Sequence, residues 1–216
     1  MSHDDFDIEP VPGLPERPPE GERILWQGRP DAFALTWTSL SLPWVVGYFV
    51  LLALWRFGTL VDLVPMGQAV GAAVPFLILG AIVVALLGLI GWIQARATVY
   101  TVTDRRVAMR IGAALTVTLN LPYTQIAAAG YAPGRRGTGT IALSTVGGPV
   151  MSYLVLWPHV RPWRIARPEP ALRCIPQAEQ VARLIAEAAE ARVAVPQVAP
   201  AEARPAPAAA AAVAAE

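Results

Sequence analysis

The stretch AVGAAVPFLILGAIVVALLGLIGWI, residues 69–93, carries no charged side chain and is long enough to cross a bilayer as one helix. A hydrocarbon core about 30 Å thick requires roughly 20 apolar residues at about 1.5 Å each, whereas a buried helix of a soluble protein is more often about 10 to 14 residues of continuous apolarity. Working outward, residues 40–61 (LSLPWVVGYFVLLALWRFGTLV) form a second apolar run whose one charge, Arg56, lies near an end from which it can snorkel to headgroups. Residues 62–68 between the two runs are few, hold Pro65 and Gly67 and carry only Asp62, as expected of a tight periplasmic loop. We therefore expect a hairpin of two transmembrane helices, residues 40–61 and 69–93. Gly80, Gly88 and Gly91, with Ala81 and Ala85, offer small surfaces for close helix contact. Trp37 and Trp44 suit the interfacial depth just before the first span.

Arginine sets the expected orientation. Arg23 and Arg29 precede the first run, Arg96, Arg105, Arg106 and Arg110 follow the second, and the loop between has none, so both termini are expected in the cytoplasm. The amino end begins with acids and lacks the apolar core of a signal peptide, in keeping with that placement. Overall, 55% of the 216 residues are hydrophobic, above the roughly 45 to 50% of soluble domains, and only 15% are charged. All basic residues are Arg, and Cys174 is the single cysteine, so no intrachain disulfide can form.

Net charge is near zero but unevenly spread. Residues 1–21 are acidic and rich in Pro, and we expect them disordered because they offer too little apolar surface to offset ordering entropy. The Ala and Pro tail, residues 193–216, reads the same way. Between Arg96 and Arg173 ten arginines face only Asp104 and Glu169, which makes the region after the spans a basic domain.

Residues 22–39 read as a short strand (ERILWQGRP, residues 22–30) followed by an interfacial segment that Asp31 could cap as a helix. Beyond residue 93 the hydrophobic period becomes two. Residues 99–103, 107–111, 115–121, 126–131, 138–146 and 151–157 are β-branched or apolar runs, punctuated by Gly112, Pro122, Pro133-Gly134, Gly147-Gly148-Pro149 and Pro158. They predict a small antiparallel sheet or barrel within a cytoplasmic domain over residues 94–192. Residues 137–158 are uncharged, but Gly139, Gly147, Gly148 and Pro149 interrupt them, so strands fit better than a third span. Pro176 is expected to open a helix over residues 176–192, with Val181, Leu184, Ile185 and Ala188 on its apolar face.

The order ERILWQGRP, two apolar runs, then Tyr100-Thr101-Val102-Thr103-Asp104-Arg105-Arg106 and a Gly-punctuated strand series resembles the membrane-anchored bacterial pleckstrin-homology-like domain family over roughly residues 22–189. The arm from Glu9 to Pro15 (EPVPGLP) and the segment from Pro158 to Pro170 (PHVRPWRIARPEP) resemble, more narrowly, the PuhB-type photosynthetic-complex assembly proteins of purple bacteria. That resemblance implies a multi-pass protein of the inner, intracytoplasmic membrane, self-associating as a dimer. It also implies help in building the reaction centre and light-harvesting complex without a catalytic step, with reaction-centre subunits or assembly intermediates as partners. A general lipid-sensing membrane adaptor is the competing reading.

Catalytic chemistry has little to stand on. His3 and His159 are the only histidines, so neither a Ser-His-Asp arrangement nor a metal cluster can be assembled, and no cofactor is expected. Asp104 beside Arg105 reads as turn chemistry rather than as an acid catalyst. His159, near Trp157 and Trp163, could ligate the magnesium of a bacteriochlorophyll, but a loop histidine is the plainer reading. Arg105, Arg106, Arg135 and Arg136 are candidates for anionic headgroups, which attract nearby basic residues by about 1 kcal/mol each, or for partner carboxylates. Solvated turns are the bland alternative. Arg161, Trp163, Arg164 and Arg167 form a basic and aromatic segment suited to an acidic protein surface. Nucleic acid is not an expected partner, since no base-stacking module is present.

Overall fold

In a computed structural model of the chain, residues 11–113, 116–147 and 151–193 are described. Residues 1–10 of the acidic arm and residues 194–216 of the tail, both expected to be disordered, lie outside the described residues.

Strand β1 (Ile24–Gly28) is followed by three helices, α1 (Ala32–Ser39), α2 (Leu42–Gly58) and α3 (Met66–Ala97), and then by β2 (Val99–Thr103). β1 pairs antiparallel with β2, Gln27 opposite Thr101 and Gly28 opposite Tyr100, so the helices are an excursion between two neighbouring strands. β3 (Arg106–Ile111) and β4 (Val117–Pro122) complete a four-stranded sheet in the order β1-β2-β3-β4. The β2–β3 turn shows why Thr103-Asp104-Arg105-Arg106 stands where it does. Thr103 Oγ1 accepts from the Arg105 and Arg106 amides at 3.1 and 3.0 Å, and Asp104 Oδ1 accepts from the Arg23 amide at 3.0 Å. The Tyr123 hydroxyl donates to the Thr103 carbonyl at 2.7 Å.

A second antiparallel sheet, β5-β6-β7, is made of Ile126–Pro133, Thr138–Thr145 and Ala171–Pro176. Helix α5 (Ala178–Val193) packs on it, and Val181 and Ile185 join Tyr100, Met109, Ile141, Leu143 and Ile175 in the main core. The strands expected from period two thus form two sheets rather than one. Residues 151–157, expected as a strand, instead hold a one-turn helix α4 (Tyr153–Leu156) with Leu156 buried. Both edges of β6 are already taken, by β5 and by β7, whose residues 171–175 are all buried. Pro176 ends β7 rather than opening the helix. Residues 11–21 are also not free: Leu14 is 2% exposed within the core, and Gln27 Nε2 donates to the Pro12 carbonyl at 2.6 Å.

Among the helices, Asp31 caps α1, its carboxylate accepting from the Ala34 amide at 2.7 Å. At Leu40 and Ser41 the chain bends by 59° into α2, with Ser41 left-handed at φ 54° and Pro43 in the first turn. α2 ends at Gly58, short of residue 61, and α3 begins before residue 69. α3, at 32 residues, is the one helix among those described that is by itself long and apolar enough to cross a membrane; α2 has 17 residues, and α1 with α2 reaches the length only as a bent pair. α2 and α3 pack as a hairpin through Gly80, where a Cβ would lie 2.7 Å from Phe49 Cβ, and α1 packs where Gly91 meets Thr36 and Leu40. Gly88 faces open space. The outward surfaces are apolar: Trp44, Leu51, Leu54, Leu79, Ile82 and Leu86 are each more than half exposed.

Candidate functional site

The candidate side chains fall in three places, two of which meet at helix α1, where the helical hairpin joins the β domain. Arg105 and Arg106 stand apart on the β2–β3 turn. Arg106 Nε pairs with Glu22 at 2.9 Å, and Arg105 Nη2 reaches the Glu20 carbonyl at 3.5 Å. Both border a cavity of about 290 Å³ that Arg192 of α5 also lines.

Arg135 and Arg136 occupy the β5–β6 turn and lie over α1. The Arg135 guanidinium is 5.4 Å from the Trp37 ring centroid, and that of Arg136 is 5.0 Å from Phe33. Phe33 and Trp37 are four residues apart on one helix face and stack at 5.8 Å, which is why one turn can cover both. Arg136 and Gly137 have φ of 56° and 74°, the backbone that a tight turn of this kind demands. The four side chains, with Ala34 and Thr38, enclose an apolar cavity of about 260 Å³.

The third group lies in the loop before β7. Arg161 and Arg164 share Glu169 at 2.9 and 3.7 Å, Arg167 is exposed, and Trp163 is 91% exposed with φ 65°. This loop, with Thr38, Ser39 and Ser41 at the α1–α2 bend and Arg173 of β7, encloses a cavity of about 170 Å³. Thr38 lines both this cavity and the one under Arg135 and Arg136, so α1 brings the second and third groups to neighbouring positions.

Behind that loop lies a buried polar network. The fully buried His159 ring meets the Tyr100 hydroxyl at Nδ1 (2.6 Å) and Thr98 Oγ1 at Nε2 (3.0 Å). Tyr100 Oη accepts from the Arg173 amide at 3.2 Å, and Thr98 Oγ1 donates to the Gln94 carbonyl at 2.8 Å. One assignment of hydrogens satisfies every group: Tyr100 donates to Nδ1, and Nε2–H donates to Thr98. His159 is therefore neutral. Burial first, then the Arg173 charge, lowers its pKa to about 3, and burial raises that of Tyr100. With both ring nitrogens committed to protein partners, His159 has no lone pair to offer a magnesium ion, and the pigment-ligand alternative fails. Among the described residues, no three His, Cys, Asp or Glu side chains gather as a metal site.

Phe33, Arg173 and the network around His159 had no motif to announce them. An aromatic pair at i and i+4 beside a predicted span was the available signal for Phe33 with Trp37. An arginine inside the apolar run ALRCI was that for Arg173.

The sequence matches the bacterial PH domain family over residues 32–189. It is also similar, at 48% identity over 202 residues, to a Rhodobacter capsulatus protein described as an uncharacterised 23.7 kDa protein in the puhA 5′ region, the match covering 92% of this chain and 94% of the relative. No solved structure matches it.

Proposed function

The chain belongs to the bacterial PH domain family, and from that premise we propose that it is a non-enzymatic, PuhB-type membrane factor that helps assemble the photosynthetic reaction-centre and light-harvesting complex of a purple bacterium. The observation that carries this reading is the near-full-length similarity to a protein encoded in the puhA region, a photosynthesis-gene context. A membrane site is supported by α3 and by the apolar outer faces of α2 and α3, which in water would expose far more contiguous hydrocarbon than a soluble monomer tolerates. In this reading α2 and α3 form a transmembrane hairpin, and the arginine-bearing β domain and both termini stay on the cytoplasmic side. Arg135, Arg136, Arg161, Arg164 and Arg167, with Trp163, are then carried close to the bilayer surface, where they hold a reaction-centre subunit or an assembly intermediate. The factor works as a dimer.

Deleting the gene in a pigmented host tests the role. Loss of reaction centres with near-normal respiratory growth is expected. A general envelope defect, with reaction centres made in normal amounts, would instead indicate a general lipid-sensing adaptor.

A further inference from the structure

We propose that the cavity between helix α1 and the β5–β6 turn is the docking site of the protein's own acidic arm, with Phe6 seated in the cavity and Asp5 and Asp7 on the two arginines of its rim. The walls on the α1 side are Phe33, Ala34 and Trp37, and the rim is Arg135 and Arg136, both exposed. Each guanidinium rests on one ring, at 5.4 and 5.0 Å, and carries five N–H donors, more than a single ring contact can use. Among the described residues no carboxylate pairs with either arginine. The site therefore offers an apolar hollow under two cations that still have donors for an anion.

The arm is the complementary piece. Residues 4–9 read Asp-Asp-Phe-Asp-Ile-Glu, four acids around two apolar side chains, with no arginine before Arg17. On an extended chain neighbouring side chains point to opposite sides, so Phe6 can enter a hollow while Asp5 and Asp7 stay at its mouth beside the guanidiniums. The cavity volume of about 260 Å³ falls below the roughly 300–1,000 Å³ of small-molecule sites, so it suits one inserted side chain rather than a cofactor.

The chain also leaves the fold at the right end. Gln27 holds the Pro12 carbonyl at 2.6 Å, and a Cβ on Gly13 would meet Val99, the first residue of β2, so Val11 stands where β1 gives way to α1. Phe33 is six residues beyond Gln27, hence at most about 22 Å from it, and the six residues from Pro12 back to Phe6 span about 20 Å when extended. A tether this short keeps the arm at an effective concentration in the millimolar range, so weak exposed charge pairs and one inserted ring suffice to occupy the site. An acidic partner has to displace the arm, which makes it a gate on Arg135 and Arg136; this consequence, unlike the docking itself, rests on the partner surface assigned to them above.

The test is photo-crosslinking of the full-length chain in a neutral detergent, with the photoreactive substitution Phe6→p-benzoylphenylalanine. Crosslinks are expected on residues 33–38 or 133–138 of the same chain, and the free peptide Asp-Asp-Phe-Asp-Ile-Glu at millimolar concentration should compete them away. Arg135→Glu with Arg136→Glu should cut the yield about fivefold, as loss of two exposed charge pairs predicts. Adding Asp5→Arg and Asp7→Arg should restore it, which a misfolded variant could not do. Crosslinks scattered over the domain, crosslinks to a second chain, or a yield indifferent to charge reversal would each overturn the docking. In the pigmented host, Asp5→Asn with Asp7→Asn should raise the amount of reaction-centre protein that co-purifies with the chain. Unchanged co-purification overturns the gate alone, whereas none with either chain defeats the assembly reading and leaves the docking to the crosslinks.

Discussion

His159 couples the loop that carries Trp163 to the strand that follows the hairpin, and its protonation sets a pH limit on that coupling. Its pKa is about 3 in the fold against 6.5 for the ordinary group. Above pH 6.5 the ring is neutral in folded and unfolded chains alike and contributes no pH dependence. As pH falls from 6.5 toward 3 the unfolded chain takes up a proton that the folded chain refuses, so stability drops by about 1.4 kcal/mol per unit. Unfolding in detergent at pH 7 and pH 5 should show this loss in the wild type. In His159→Gln the slope should be shallower, on a baseline about 1–3 kcal/mol lower because a buried hydroxyl is left unpaired; equal slopes would remove His159 as the cause. Arg135 and Arg136 pose a different question, whether charge or shape matters. Replacing both by Lys keeps the charge but loses the planar contact with Trp37 and Phe33, and should cost about 1 kcal/mol of stability in the same assay. No change would make these contacts incidental. Local chemistry such as the Asp31 cap and the Thr103 turn was readable from neighbouring letters. The His159 network was not, because Thr98 and Tyr100 lie 61 and 59 residues away and only the closed fold brings them together.

At the scale of elements, the glycines of α3 divide by what they face. Gly80 touches Phe49 of α2, and Gly91 touches Thr36 and Leu40, whereas Gly88 meets nothing within 4 Å. Gly80→Leu should therefore cost about 1–3 kcal/mol through forced separation of the helices, and Gly88→Leu no more than about 0.5 kcal/mol. Thermal unfolding of each variant in dilute micelles reads the difference, and equal losses would refute the observed helix pairing. Composition had marked all three glycines as small surfaces without telling them apart, since which face a helix turns to its neighbour depends on the neighbour. The same limit explains β7 and α4. Tyr153-Leu154-Val155-Leu156 has strand-like letters but forms a helical turn that buries Leu156, while ALRCIP, bounded by prolines and broken by Arg173, takes the second edge of β6.

For the whole molecule, hydropathy along the chain announces α3 as a helix long and apolar enough to cross a membrane, because that property belongs to consecutive residues. Pairing β1 with β2 across more than 70 residues is not announced, because that contact is made only once the hairpin has closed. The topology that results separates two bodies energetically. The main core draws its buried residues from the strands, the turn after β4 (Tyr123), α4, the loop after it and α5, and none from α1, α2 or α3. The buried apolar contact between the helices and the β domain is a small cluster, Ala34, Leu35 and Ala95 against Cys174, beside the Arg135 and Arg136 contacts with Trp37 and Phe33. Replacing residues 30–97 with a three- to five-residue Gly-containing loop would join antiparallel neighbours whose ends already sit opposite each other, the ordinary length for a hairpin connection. Thr98 is kept for His159, Cys174 loses its partners in the small cluster, and Arg173 regains water instead of remaining a buried charge. The shortened chain should stay in the supernatant after ultracentrifugation without detergent, give a β-rich circular dichroism spectrum and unfold in one cooperative step. Aggregation or non-cooperative melting would mean that the helices are integral to the core, and that the β domain is not the independent unit its packing indicates.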